Sequence, residues 1–306
     1  MSPPPSVGEE DYAFDGVHPL TLADKPYLDI FFKQDNPLTS ELTFTNLFMW
    51  QDYYRPRWRV HQDCLLIWLR AASGRIMLLP PLGTGDKTEA VEYGFKLMAS
   101  AGIPPCLGRA GQDLIDNWLD KSRLNIEERR NQADYVYLSQ DLIDLKGNRF
   151  HRKKNHLNRF LKTCPHFVYR KITPAIIEQV QEFQDQWSCR RQNREGIADE
   201  HRAVMLALDN FSSLDCDGAA IFLEKKVVAY SLGEALNHNT AVIHVEKADS
   251  LVNGAYVAIN QMFCQNRWSC FTFINREQDM GLPGLRAAKE SYYPHHMVNK
   301  FTVTTK

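Results

Sequence analysis

The sequence predicts an α/β (α+β) protein of two domains, each a mostly antiparallel mixed sheet flanked by helices. Three observations carry that expectation. A chain of 306 residues exceeds the roughly 100 to 150 residues of a typical domain, so two hydrophobic cores are the default. Both halves show the same coarse order of helices, a meander of β-like runs, a helix and a strand, which suggests a duplicated architecture without a residue-level repeat. This order departs from strict βαβ alternation, and no glycine-rich nucleotide fingerprint or Walker sequence follows a strand, so dinucleotide and P-loop folds are disfavoured.

Residues 1–16, with Pro3-Pro4-Pro5 and the acidic Glu9, Glu10 and Asp11, have neither the basic flank nor the apolar run of a secretion signal and read as a flexible leader. The first domain, 17–146, opens with helices over 21–34 and 42–53. Apolar β-like runs follow at 58–61, 64–69 and 75–79. Helices are expected over 88–101 and 110–121, separated by the breaker Gly102-Ile103-Pro104-Pro105. Strands at 124–129 and 135–138 lead to a boundary near Gly147. The second domain, 147–306, begins with a basic helix over 148–162 and a strand over 167–171. Thr173-Pro174 then opens a helix whose Ile176, Val180, Phe183 and Trp187 recur at intervals of a core-facing face. A helix over 200–210 precedes three strands, 218–223, 227–235 and 240–245. A helix with Val252, Ala255, Tyr256, Ile259 and Phe263 on one face follows, then an apolar strand over 270–274, a helix over 285–291 and a closing strand over 297–303.

Composition narrows the function. Hydrophobic residues make up 44% and charged residues 24%, which is ordinary for a folded enzyme. A net charge of -1 gives no global attraction to nucleic acid or anionic membrane, so such binding requires a local patch. No stretch approaches the roughly 18 apolar residues of a membrane span. Seven scattered cysteines without a C-x-x-C pair fit a reducing, cytoplasmic setting, and no metal-ligand spacing occurs.

The local patch is the basic helix. No Asp or Glu occurs between Leu145 and Ile177, whereas Lys146, Arg149, Arg152, Lys153, Lys154, Arg159 and Lys162 crowd its start. Arg149, Arg152, His156 and Arg159 share one stripe beside an apolar face of Phe150, Leu157, Phe160 and Leu161. Such a stripe suits phosphate, and Lys146, Arg149, Arg152, Lys153 and Arg159 are the candidate phosphate or RNA ligands. A solvated face paired with acids elsewhere is the alternative. Farther on, Asn253 and Gly254 stand at a helix entry whose free N–H groups suit a phosphate or carboxylate, or mark ordinary capping. Asn275, Arg276, Glu277, Asp279 and Lys289 follow the apolar 270–274 run, where strand ends border the crevice of α/β folds. Glu246, Asp279 and Glu277 are candidate general bases, and Asn275, Arg276 and Lys289 candidate substrate ligands. A turn stabilised by Asp279 and Arg276 is the plain structural reading.

The order of Lys146-Gly147-Asn148-Arg149-Phe150, Arg152-Lys153-Lys154-Asn155, Glu246-Lys247-Ala248, Asn275-Arg276-Glu277-Gln278-Asp279-Met280-Gly281 and Gly284-Leu285-Arg286-Ala287-Ala288-Lys289 resembles the phosphatidylglycerol lysyltransferase C-terminal domain family over nearly the whole chain. That family is similar to Fem-type aminoacyltransferases. The resemblance implies two tandem GNAT-like domains and transfer of an aminoacyl group from aminoacyl-tRNA to a lipid, peptide or small-molecule acceptor. It also implies tRNA as partner through the basic helix, peripheral contact with anionic lipid, and no tightly bound cofactor. Two other functions fit the residues: an N-acyltransferase with acyl-CoA as donor, its pyrophosphate near Asn253 and Gly254, and a non-catalytic anion-binding module.

Overall fold

A computed structural model describes residues 14, 16–71 and 73–306, so most of the expected leader lies outside the described residues. In chain order the strands are β1 (His18–Pro19), β2 (Arg57–His61), β3 (Cys64–Arg70), β4 (Ile76–Leu78), β5 (Leu82–Gly83), β6 (Cys106–Ala110), β7 (Leu124–Glu128), β8 (Asp134–Leu138), β9 (Val168–Lys171), β10 (Asp217–Leu223), β11 (Lys226–Ala235), β12 (Thr240–Ala248), β13 (Phe273–Asn275), β14 (His296–Val298) and β15 (Phe301–Thr305). The helices are α1 (Lys25–Asp35), α2 (Phe44–Met49), α3 (Gln51–Tyr54), α4 (Lys87–Ser100), α5 (Gln112–Asn117), α6 (Ser139–Asp144), α7 (His151–Thr163), α8 (Ile177–Cys189), α9 (Ile197–Asp209), α10 (Ala255–Arg267) and α11 (Pro283–Glu290).

The strands form two mixed sheets flanked by helices, in agreement with the expected fold class. One sheet runs β1-β2-β3-β4-β6-β15-β7, with β5 paired to β3, and the other runs β14-β8-β13-β12-β11-β10-β9. Among the described residues each has a single parallel pairing, β4 with β6 and β12 with β13, and in each case a helix (α4 or α10) lies between the two strands in the chain. Parallel neighbours require such a crossover.

Sheet membership does not follow a division at 146/147. The strand β8, from the first half, sits between β13 and β14 of the second sheet, and β15, at the end of the second half, sits between β6 and β7 of the first. The halves therefore exchange their last inserted strands reciprocally. The expected closing strand over 297–303 is accordingly two short strands in different sheets, with the chain crossing at residues 299–300.

Core packing explains the layers. In β3 every residue from Cys64 to Leu69 is buried, because Leu65, Ile67 and Leu69 face one cluster and Cys64, Leu66 and Trp68 another. The first cluster lies between the halves: Phe31, Phe44, Leu47 and Phe48 pack with Phe183, Trp187, Val204 and Tyr230. Each such side chain contributes about 1.5–3 kcal/mol on burial. On its other face, the second sheet packs Ile221, Ile243 and Ile274 under Ala258, Ile259 and Phe263 of α10 and Phe160 of α7.

Candidate functional site

The distribution of side chains at the centre of the second sheet turns on a bulge. Val245 pairs with Leu232, but the next pair is Ile243 with Gly233, so His244 has no opposing residue. An extra residue of this kind re-aims side chains. Val245 joins the cluster between the halves and Ile243 the cluster under α10, and His244 is turned with Val245 toward the first half. Its Nε2 lies 2.8 Å from Glu234 Oε1 and its Nδ1 2.9 Å from Glu277 Oε1. The first half contributes too: Thr45 Oγ1 donates to Glu234 Oε2 at 3.0 Å and Asn46 Nδ2 to Glu277 Oε1 at 3.3 Å, both from α2.

Burial opposes charge on His244, but hydrogen bonds to Glu234 and Glu277 outweigh it and raise its pKa to about 10. It is therefore an imidazolium at neutral pH, locked between two carboxylates and unavailable as a base. Its side chain is 1% exposed, against 8% for Glu234 and 21% for Glu277. Among the described residues Glu277 Oε2 makes no hydrogen bond, so one oxygen of an oriented carboxylate stays open at the junction.

A second layer fixes this geometry. Glu277 has a φ of 57°, a left-handed conformation that non-glycine residues adopt only when held. Asn275 holds it: its Oδ1 accepts the Glu277 N–H at 2.8 Å while its Nδ2 donates to Asp134 Oδ2 at 3.0 Å. Asp134 in turn accepts from the Ser40 N–H at 2.8 Å and pairs with Lys300 Nζ at 2.6 Å, which also reaches Glu41 at 2.6 Å. Asn275 and Lys300 are fully buried, so Asn275 positions Glu277 and does not line a cleft as a substrate ligand.

On the opposite face, under α10, stands a different cluster. Glu246 Oε1 accepts from Arg276 Nη2 at 2.7 Å and its Oε2 from Asn260 Nδ2 at 2.8 Å. The Arg276 guanidinium lies over Tyr292 (4.7 Å) and Tyr137 (5.6 Å), and Lys153 Nζ stands 3.9 Å from the Tyr292 ring centroid. Lys289 Nζ donates to the main-chain carbonyls of Arg276 and Glu277. Burial first, and then the nearby Arg276, lower both Lys153 and Lys289 to about 8.

The sequence-predicted residues therefore do not share one cleft. Glu246 and Glu277 lie on opposite faces of the sheet, because the bulge breaks the alternation that would otherwise align His244 with Glu246. Asp279 stands apart from both. Its fully buried carboxylate accepts from Arg286 Nε (2.7 Å), Tyr135 Oη (2.7 Å) and the Gly281 N–H (2.8 Å). Although burial opposes ionisation, the Arg286 and Tyr135 hydrogen bonds hold its carboxyl well below the usual carboxylate range. A carboxylate so engaged is a poor proton acceptor, and Asp279 is better described as the pin of the 279–286 turn. Asn253 is exposed, and Gly254 (φ 85°) packs so tightly on α7 that a Cβ there would sit 2.2 Å from the His156 carbonyl oxygen. The N-terminus of α10 is thus covered by α7 at the position expected to receive a phosphate.

The basic helix is amphipathic, with Phe160 buried and Leu157 packed against the core, but Leu161, expected on the same apolar face, is exposed, because it lies one residue beyond the strip that meets α10. Lys146, Arg149, Arg152 and Arg159 are exposed. Arg149 is tied to Asp141 at 2.7 Å, but among the described residues Arg152, Lys154, Arg159 and Lys162 have no acidic partner. The reading of the sequence missed His244, Glu234, Thr45 and Asn46. A histidine flanked by Ile243 and Val245 looks like regular strand alternation, and nothing local reveals that Glu234 and Glu277 close on it.

The profile of the family described as "Phosphatidylglycerol lysyltransferase, C-terminal" matches residues 33–304. A conserved protein of unknown function from Bacteroides thetaiotaomicron is 32% identical over 96% of this chain and 100% of its own, with a TM-score of 0.89. The C-terminal domain assigned to a lysylphosphatidylglycerol synthetase of Agrobacterium fabrum is 11% identical over 93% of this chain and 91% of its own, with a TM-score of 0.69. The L-PGS of Bacillus licheniformis is 12% identical over 92% of each chain, with a TM-score of 0.65. These last two share the fold. No curated protein matches the sequence.

Proposed function

The chain belongs to the phosphatidylglycerol lysyltransferase C-terminal family, and on that footing we propose that it transfers an aminoacyl group from aminoacyl-tRNA to an acceptor amine or hydroxyl, with Glu277 taking the acceptor proton. The observation that carries this reading is the clamp on Glu277: one oxygen is held by His244 and Asn46, the other is open. The acceptor N–H or O–H gives its proton to Glu277 Oε2 as its heteroatom bonds to the ester carbonyl carbon. The tetrahedral intermediate collapses, the bond to the terminal ribose oxygen breaks, and that oxygen receives the proton from Glu277. The donor ester is already activated, so orientation and one proton relay suffice. His244, charged at neutral pH beside Glu277, offsets the negative charge of the carboxylate pair. It is a positioning residue.

The unpaired cations of α7 suit the RNA phosphates. An acyl-CoA donor finds less support, since the helix entry suited to its pyrophosphate is covered by α7. Among the described residues no helix is long and apolar enough to cross a membrane.

The test uses tRNA charged with labelled amino acids, with phosphatidylglycerol vesicles or a metabolite extract as acceptor. Wild-type protein should move label to an acceptor. Glu277→Gln should lose about 100-fold or more in rate, the scale of general-base catalysis, while still binding tRNA. Transfer unaffected by Glu277→Gln would remove the base, and no transfer by wild type to either acceptor source would overturn the proposal.

A further inference from the structure

The cluster under α10 leaves one guanidinium N–H unpaired. Glu246 acts electrostatically on Arg276, Lys153 and Lys289, and Lys289 is also held, more strongly, by Glu277 and Asp134. Lys289 is satisfied by two main-chain carbonyls. Arg276 spends Nη2 on Glu246, but its Nη1 is buried without a hydrogen-bond partner. An unpaired guanidinium N–H in such a place costs free energy until an acceptor arrives. Lys153 is distinct from its neighbours in the helix: Arg152 and Lys154 are exposed, whereas Lys153 is half-buried with its ammonium over Tyr292. On the far side of Glu246, Asn260 Oδ1 is likewise buried and unpartnered, an acceptor matched to a bridging water.

We propose that Lys153 and Arg276, bracketing Tyr292, form an oxyanion subsite for a phosphate group of the donor, separate from the exposed stripe of α7. The idea rests on the reading of the chain as a transferase with a phosphorylated donor. That chemistry occurs both in an RNA backbone and in the pyrophosphate of an acyl-CoA. The exposed arginines of α7 would supply long-range attraction, and the recessed pair a fixed point from which the donor is measured toward the catalytic face. Lysine and arginine together suit a phosphate, the first as a point charge and the second as a directional fork.

Calorimetric titration of the full chain with inorganic pyrophosphate at low salt tests the subsite without turnover. Wild-type protein should bind saturably. Lys153→Gln should weaken binding about tenfold or more, the loss expected for one charge-assisted contact, and Lys153→Arg should restore most of it. Lys121→Gln, an exposed cation of the first half paired with Asp116, should change it less than about twofold. Absence of saturable pyrophosphate binding by wild type, or equal loss in Lys153→Gln and Lys121→Gln, would overturn the subsite. Parallel titrations with an RNA acceptor-stem hairpin and with acetyl-CoA identify the source: the donor that engages the subsite is the one whose affinity falls with Lys153→Gln. If hairpin binding survives Lys153→Gln but is lost when Arg152→Gln and Arg159→Gln are combined, and pyrophosphate and acetyl-CoA are indifferent to Lys153, the RNA-binding helix stands and the subsite falls.

Discussion

Raising the pH from 6.5 toward 10 should loosen the junction between the halves through a single residue. His244 has a folded pKa near 10 against 6.5 for a free imidazole, so its stabilising contribution is fully present below about pH 6.5 and is lost as pH rises through the folded value. The melting temperature of wild-type protein should decline across that window, and His244→Asn should start lower and respond less. A wild-type profile with the same slope as His244→Asn would show that the imidazolium is not clamped as described. Asp279 has the opposite sign. Its depressed pKa stabilises the fold above the ordinary carboxylate range and ceases to do so as pH falls through the folded value. Asp279→Asn should therefore cost about 2 kcal/mol of stability, with acyl transfer retained where the protein stays folded. Transfer abolished at unchanged melting temperature would return Asp279 to the mechanism. Glu277 was legible in the sequence because polar residues after an apolar strand mark a strand end. His244 was not, because the bulge that aims it leaves no trace in an alternating Ile243-His244-Val245.

Helices proved the most readable elements, since their periodicity is local. The expected face of Val180, Phe183 and Trp187 is the buried face of α8, and the basic run is α7 as expected. Errors arose where tertiary contacts decide. The expected helix over 42–53 breaks at Trp50 into α2 and α3, and β6 occupies a segment, Cys106–Ala110, whose strand character depends on pairing with β15 and β4. One contact between elements is directly testable. Gly254 lets α10 start against the backbone of α7, and Gly254→Ala adds both a left-handed strain and a Cβ where the His156 oxygen now sits. A loss of about 2 kcal/mol or more is expected, together with weaker tRNA binding as α7 is displaced. A Gly254→Ala variant as stable as wild type would mean that the two helices have room to slide.

At the scale of the whole molecule, the coarse two-sheet plan was visible in the repeated order of elements, but the reciprocal exchange was not, because hydrophobic patterns specify faces and not partners. A chain cut between residues 146 and 147 leaves each half short of a strand inserted in its sheet, with exposed hydrogen-bonding edges on both sides of the gap. Fragments 17–146 and 147–306 expressed separately should be largely insoluble, and expressed together they should recover a folded, transfer-competent complex. Two independently soluble, cooperatively melting fragments would refute the exchange.

The two crossings meet at one point. The chain leaves the first sheet after β7 and enters the second at Asp134, and it makes the return journey from β14 to β15 through Lys300. These two residues, both buried completely, form an ion pair of 2.6 Å. Seen from the ribosome, the gap between β6 and β7 opens when residue 128 has emerged and is filled only when residues 301–305 follow. At about 5–20 residues per second the nascent chain carries that open slot for roughly 10 to 35 s. Lys300 arrives just before the strand that fills it, so the latch between the crossings cannot close until the slot is about to be filled.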